Sequence, residues 1–163
     1  MRISDGVEWA VHVCGVLAAA PEGRGVPGAK LAEFHALPPA YLAKHLQALS
    51  RAGIVAADRG AKGGYRLGRP PAKISLLDIV VAIEGPQPAF RCTEIRKQGP
   101  CPAPPSACRK ACPIARAFLA AEMAWRQALA NVTVAQMNAA AAAESFDDKR
   151  RRDFQAWLSA ALQ

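Results

Sequence analysis

The chain has 163 residues and a formal net charge of +8, and 52% of its residues are apolar. This length suits one domain with a short appendage, and the large share of alanine predicts a mainly α-helical fold with a thin core. No run of about 20 apolar residues and no export signal is recognisable, so we expect a cytoplasmic protein without a membrane partner. The positive charge suits simple solubility, but it also favours a nucleic acid as partner, because binding one releases counterions.

The first predicted helix begins after Ser4 or Asp5, either of which can cap it, and runs to about Ala20. It is apolar nearly all round, which predicts a buried helix. Glu8 and His12 break this pattern on one stripe, at a spacing of four residues. They must pair with each other, be partly exposed or coordinate a ligand, because unpaired burial of such groups is costly.

Two short helices are predicted next, from Gly28 to Ala36 and from about Pro39 to Ala52. Gly53 suits the left-handed residue that ends the second of them. Two short strands, residues 54–57 and 65–67, then enclose a glycine-rich turn. This order of elements predicts a winged helix-turn-helix, in which the second short helix enters the major groove and the hairpin touches the DNA beside it.

The outward-facing residues of the second short helix and of the hairpin are the predicted DNA contacts. Leu42, Leu46 and Leu49 form the inward face of that helix, so the residues between them face outward. Cations on the hairpin suit contacts with phosphates. The predicted DNA-binding residues are Pro39, Tyr41, Lys44, Gln47, Arg51, Arg59, Lys62, Gly63, Gly64 and Arg66. His45, in the same helix, is expected to be solvated or to contact the backbone, and it could reach a DNA phosphate.

A capping box formed by Ser75 and Asp78 opens a further helix that stops at Gly85. The winged helix-turn-helix domain is therefore predicted to span residues 1–85. Residues 86–112 form the next unit, a loop rich in proline and cysteine.

Four of the five cysteines lie in this loop, between Cys92 and Cys112, with the spacing C-x8-C-x6-C-x3-C. Its prolines exclude a helix or an interior strand, and its cysteines are unlike a disordered tail. A metal, a disulfide or a neighbouring subunit must therefore fix its shape. Thiolates suit an iron–sulfur cluster, whereas zinc prefers two close cysteine pairs. Thiol–disulfide switching without a metal remains open.

Pro113 is predicted to open a long helix with an apolar stripe from Ile114 to Val132 at a period near 3.6 residues. A second copy of the chain is the predicted partner of this stripe, giving a two-fold dimer, and packing on the chain's own first helix is the alternative. Residues 113–138 are therefore assigned as a dimerisation helix and residues 139–163 as an accessory C-terminal helix.

Several spaced motifs together resemble the Rrf2 family of bacterial winged-helix transcription regulators, of the IscR and NsrR type. They are residues 42–44, 46–49, 51–55, 63–67 and 74–79. Within that family, the sequences 6–12, 92–96 and 111–117 are most similar to the redox-sensing branch called RsrR.

The resemblance implies a homodimeric repressor that binds a palindromic operator in double-stranded DNA and senses redox state through an iron–sulfur cluster. Cys92 and Cys112 match the first and last family cysteines, and Glu8 and His12 lie where the N-terminal helix of a second subunit would complete the site. Two thiolates, an imidazole and a carboxylate imply a [2Fe–2S] cluster. The extra cysteines, Cys101 and Cys108, leave a [4Fe–4S] cluster open.

Two alternatives are kept. One is a thiol–disulfide or nitric-oxide sensing regulator of the same fold, with a [4Fe–4S] cluster or no metal. The other is a metal-dependent enzyme built on Glu8 and His12. Their spacing lacks the H-E-x-x-H zinc pair, and the chain has no phosphate loop or nucleophile elbow, so an enzyme is not expected.

Overall fold

The computed structural model describes residues 3–58, 60, 63–145 and 147–163. These residues form helices α1 Asp5–Ala19, α2 Gly28–Phe34, α3 Pro39–Arg51, α4 Leu76–Glu84, α5 Pro113–Ala130, α6 Val134–Ser145 and α7 Asp148–Ala161, and strands β1 Val55–Asp58 and β2 Gly64–Leu67. The mainly α-helical, winged helix-turn-helix prediction is confirmed. Within this described part of the chain, no helix has the length and apolar character needed to cross a membrane.

Helix α1 lies at the centre of the core, where it packs against α3, α4, α6 and β2. Its burial is as predicted, and Cys14 is fully buried on it. This burial raises the pKa of the Cys14 thiol to about 12, which is typical of a thiol packed in a core. The Ser4 side chain does not form the predicted cap of α1. Its backbone N–H and its hydroxyl both donate to the Glu84 carboxylate instead. The start of α1 is thereby tied to the end of α4.

The helix-turn-helix follows the prediction closely. Leu42, Leu46 and Leu49 on α3 are at most 1% exposed, which confirms the inward face. Gly53 takes a left-handed conformation with φ of 66° after the end of α3. Helix α2 is two residues shorter than predicted, since Ala36 is itself left-handed, with φ of 52°.

The wing is an antiparallel hairpin in which Val55 is paired with Leu67. Both strands differ by one residue from the predicted limits. Val26 and Tyr65 exchange two backbone hydrogen bonds of 2.8 Å, which adds a third short segment beside β2. Glycine is required at position 64, because a Cβ there would lie 2.6 Å from the Val26 carbonyl carbon.

The predicted long helix is divided into two. Helix α5 ends at Ala130 and α6 begins at Val134, so one continuous helix over 113–138 is incorrect. The break is fixed by pairing with the segment before α4: the Leu76 N–H donates to the Val132 carbonyl and the Val134 N–H to the Ile74 carbonyl, each at 2.9 Å. The two halves therefore have different surroundings.

Helix α6 packs against α1, where the Asn138 side chain donates to the Gly15 carbonyl at 2.9 Å. Packing on the first helix, the alternative left open above, is therefore correct for α6. No residue of α5 is buried within the described chain. The N-terminal part of the α5 stripe, with Ile114 and Phe118, is thus available to another partner, whereas Trp125 and Leu129 are half-buried and α5 contacts α4.

The alanine-rich run that was assigned to the accessory helix belongs to α6, and only residues 148–161 form α7. Leu158 and Ala161 of α7 are buried in the common core. Near them, the Trp157 ring lies 4.3 Å from the Phe34 ring, measured between centroids. The C-terminal helix is therefore an integral part of the DNA-binding body.

Candidate functional site

The outer face of α3 presents most of the predicted DNA contacts on one surface. Tyr41, Lys44, Gln47 and Arg51 are exposed along this helix, opposite the buried leucines. Pro39 is exposed at its start, where its fixed backbone suits the first helical turn. This arrangement suits insertion of α3 into a major groove, with its N-terminal half closest to the bases.

The wing supplies a cation and two glycines beside α3. The Arg66 Nε lies 2.8 Å from Asp58 Oδ2, and both side chains are substantially exposed. An exposed pair of this kind contributes little stability, so a DNA phosphate can compete with Asp58 for Arg66. Gly63 and Gly64 are described, whereas Arg59 and Lys62 lie outside the described residues.

His45 is buried, contrary to the prediction of a solvated side chain. It is 9% exposed, and its Nε2 has no hydrogen-bond partner among the residues that the structure describes. Burial lowers the pKa of His45, and the neighbouring Lys44 acts in the same direction. Positions 42, 45, 46 and 49 follow the helical pattern of a buried face, which is the sequence signal that could have identified it.

Trp9 connects α1 to the recognition helix. Its ring lies 5.3 Å from Tyr41 and 5.8 Å from His45, in edge-on geometry. Gly6, one turn earlier on α1, leaves room for the His45 ring, because a Cβ there would lie 2.4 Å from Cε1. The helix that carries Glu8 is therefore in direct contact with a residue of the predicted DNA surface.

We expect the free energy of unfolding to fall as the pH is lowered below about 6.5. Unfolded His45 takes up a proton at its ordinary pKa of 6.5, whereas the folded protein resists this proton, so acid favours unfolding. His45→Gln should weaken this pH dependence, measured by urea unfolding at pH 7, 6 and 5. Equal pH dependence in both proteins would contradict a buried, neutral His45.

The predicted cysteine ligands have unequal surroundings. Cys112 is buried and forms the N-cap of α5, whereas Cys92 is exposed. The backbone N–H of Ala115, in the first turn of α5, lowers the pKa of the Cys112 thiol. The Ile114 N–H and the Arg96 charge act in the same direction, against partial desolvation. This environment favours a thiolate, the form that binds metal.

The remaining cysteines of the loop are also free thiols. Cys101 is exposed and Cys108 is partly buried. Cys108 lies close enough to Arg96 to interact with its charge, as Cys112 does. Cys108 and Cys112 therefore both lie near the positive charge of Arg96.

Glu8 and His12 are both exposed on α1, so the partial-exposure alternative is the correct one for this pair. They do not meet the cysteines within one chain: among the described residues, no three His, Cys, Asp or Glu side chains converge on a possible metal position. The His12 ring instead lies 5.8 Å from the ring of His35.

The surface of α5 carries large exposed apolar side chains. Ile114 is 61% exposed, Phe118 51%, Leu119 54% and Met123 64%. Phe90, from the cysteine loop, stacks on Phe118 with ring centroids 4.4 Å apart. Exposed apolar side chains grouped on one helix indicate a protein–protein interface.

Solved structures of two regulators share this architecture. IscR from T. potens gives a TM-score of 0.69 at 22% identity, with 91% of this chain and 93% of that chain covered. CymR, the global cysteine regulator of B. subtilis, gives 0.64 at 24% identity, with coverages of 85% and 97%. The oxidised form of Staphylococcus aureus CymR gives 0.63 at 26% identity, with coverages of 90% and 99%. The first two comparisons establish a common fold.

Curated relatives include helix-turn-helix transcriptional regulators from Mycobacterium tuberculosis strain H37Rv and from Lactococcus lactis strain IL1403. The first is 37% identical over 91 residues, which are 56% of this chain and 56% of the relative. The second is 35% identical over 85 residues, or 52% and 54% of the two chains. The chain thus spans about half the length of the curated relatives it matches.

A family model covers much more of the chain. The model described as an iron-dependent transcriptional regulator, Rrf2, matches residues 3–140. This range contains the helix-turn-helix, the wing, the cysteine loop and α5. With its winged-helix fold and its regulator relatives, the chain belongs to the Rrf2 family of DNA-binding transcription regulators.

Proposed function

We propose that the protein is a homodimeric repressor that senses redox state through a [2Fe–2S] cluster and binds a palindromic operator. The observation that carries this proposal is the environment of Cys112. Its sulfur sits at the N-terminus of α5, where the backbone N–H groups of the first turn and the nearby Arg96 favour a thiolate. Such a thiolate is the ligand that iron–sulfur clusters require.

The donor set fits this group in its chemistry. Cys92 and Cys112 would supply two thiolates, and Glu8 and His12 of the partner subunit would supply a carboxylate and an imidazole. Both α1 side chains are exposed one helical turn apart, so a second chain can reach them. When bound, the cluster would supply one-electron chemistry, and a histidine ligand raises its potential.

The apolar face of α5 supports a dimer in which both cluster sites lie near the subunit interface. Cys112 directly precedes this helix, so a second copy seated on Ile114 and Phe118 would approach the cysteine loop. Two copies of α3 read a palindrome when their spacing matches one DNA turn, about 34–36 Å. A change at the interface that alters this spacing would change operator affinity.

A second candidate is regulation by thiol oxidation without a metal, or nitric-oxide sensing at a [4Fe–4S] cluster. The exposed Cys101 favours this candidate, since the four-ligand set leaves it unused. The oxidised form of Staphylococcus aureus CymR, at 26% identity, shares the fold of this chain. This candidate shares the DNA-binding surface and differs only in the sensing group.

The test is a visible absorption and circular dichroism spectrum of the anaerobically purified protein, with iron and sulfide counted per chain. Two irons and two sulfides, lost in Glu8→Gln or His12→Gln, would support the proposal. Four irons that depend on Cys101 or Cys108, or a colourless protein that still binds DNA, would transfer the function to the second candidate.

DNA binding is tested separately through its salt dependence. Lys44→Ala should weaken binding to every duplex and reduce the salt slope by about one, as expected for one lost phosphate contact. Lys149→Ala, which removes an equal charge from α7, is the matched control. Equal salt slopes for the wild-type protein and Lys44→Ala would argue against the assigned face of α3.

A further inference from the structure

Arg96 joins distant parts of the cysteine loop. Its Nε and Nη2 donate to the two carboxylate oxygens of Glu94, each at 2.8 Å, so the pair is a two-pronged fork. Glu94 adopts a left-handed backbone conformation, with φ of 54°, and precedes the short helical turn that contains Arg96. Their hydrogen bond raises the pKa of Arg96 and lowers that of Glu94, so both remain charged.

The same guanidinium reaches the far side of the loop. Its Nη1 donates to the Ala107 carbonyl at 3.3 Å and its Nη2 to the Lys110 carbonyl at 3.2 Å. The Arg96 carbonyl accepts from the Ala103 N–H at 2.8 Å. One residue therefore ties the segment after Cys92 to the segments on both sides of Cys108.

The geometry of this network suggests that it orders the cysteine loop. A loop so rich in proline has little regular secondary structure to order it, and ordering each residue costs about 1–2 kcal/mol of conformational entropy. If the loop were ordered only by ligand binding, that cost would reduce the affinity. A planar guanidinium can hold a carboxylate and two carbonyls at once, whereas a lysine ammonium cannot reproduce the fork.

We propose that Arg96 is a positioning residue that folds the cysteine loop before any metal is bound and then keeps a positive charge beside the Cys112 side of the site. The first part concerns the metal-free chain alone. The second part rests on the proposed cluster-binding function. Arg96 is 22% exposed at its side chain, so its charge is only partly screened by solvent.

Hydrogen–deuterium exchange of the metal-free, full-length protein tests the first part. In the wild type, the hydrogen-bonded amides of Gln98, Ala103 and residues 107–109 should exchange slowly, and Arg96→Lys and Glu94→Gln should accelerate them by about tenfold or more. Arg109→Lys is the matched control, because Arg109 is an exposed arginine of the same loop and should leave exchange unchanged. Equally fast exchange in the wild type and in Arg96→Lys would overturn the proposal that Arg96 clamps the loop in its folded form.

The reduction potential of the reconstituted protein, followed by visible absorbance, tests the second part. A positive charge stabilises the added electron, so Arg96→Gln should lower the midpoint potential and Arg96→Lys should restore most of it. If Arg96 had a purely structural role, its replacement would change the cluster content without moving the midpoint potential. That result would overturn the proposed effect of the Arg96 charge.

Failure of the Arg96 proposal can be distinguished from failure of the proposed cluster-binding function. Slow exchange that depends on Arg96, in a wild-type protein that takes up no cluster, would keep the clamp and remove the proposed cofactor. Normal cluster uptake with exchange that does not depend on Arg96 would keep the cofactor and remove the clamp.

Discussion

Phe118→Glu should convert the protein to a monomer and weaken operator binding by at least about 100-fold, because a dimer gains its second half-site contact within the same complex. Phe118 is half exposed on α5 and is the centre of the apolar surface there. A carboxylate in that position would be desolvated without a partner if a second copy were seated on it, and this is costly. Sedimentation velocity and fluorescence anisotropy with a labelled palindromic duplex are the measurements.

The matched control for this experiment is Gln127→Glu. Position 127 is nine residues after Phe118 and hence on the opposite side of α5 at 100° per residue. The substitution introduces the same charge on an exposed side chain, and the dimer and its DNA affinity should persist. A Phe118→Glu protein that remains dimeric and binds the duplex normally would show that α5 is not the interface.

Cys112→Ser should remove the visible absorbance, the iron and the sulfide together, and leave DNA affinity insensitive to oxidants. The substitution keeps nearly the same shape at a buried N-cap position, so the fold should persist while the thiolate ligand is lost. Cluster content is measured by iron and sulfide assays, and redox response by DNA anisotropy before and after oxidation.

Cys101→Ser is the informative companion variant. Cys101 is exposed and lies outside the four-ligand set, so its replacement should leave the [2Fe–2S] spectrum intact. A Cys101→Ser protein that loses its cluster would argue for a site with more cysteines. A Cys112→Ser protein with normal absorbance and an intact redox response would contradict the proposed sensor.

Local chemistry predicts much of the DNA-binding half correctly. The leucine spacing on α3, the left-handed Gly53 and the capping box all act within a few residues, and each is found in the structure. In the capping box, the Asp78 N–H donates to Ser75 Oγ at 3.1 Å and the Ser75 N–H to Asp78 Oδ2 at 2.9 Å. Such features depend on near neighbours, which a sequence displays directly.

The features that the sequence does not reveal depend on contacts between distant segments. The apolar period continues through Leu129 and Val132, and it hides a local signal, because Thr133 and Gln136 form a capping box that opens α6. Backbone pairing with Ile74 and Leu76, more than fifty residues earlier, then holds the break in place. Likewise, the core position of α7 and the hydrogen bonds of Arg96 across the cysteine loop could be predicted only by knowing which segments meet.

For the candidate site, residue types could be predicted but not their assembly. Cys112 could be proposed as a ligand from its place in the motif, yet its helix N-terminal environment appears only in the fold. The exposure of Glu8 and His12 could not be read from a helix that is otherwise buried. His45 was assigned to the wrong environment because its polar character outweighed its place in the helical pattern.

Because the long helix is divided, α5 can move as a rigid rod about a pivot at its C-terminal end. Its last turn is joined to the DNA-binding body by the pairing of Val132 and Val134 with the segment before α4, while its first turn carries Cys112. An 18-residue helix is about 27 Å long. A displacement of 1 Å at the cysteine end therefore equals a rotation of about 2° about the pivot, and in the proposed two-fold dimer both DNA-reading helices would turn in opposite directions.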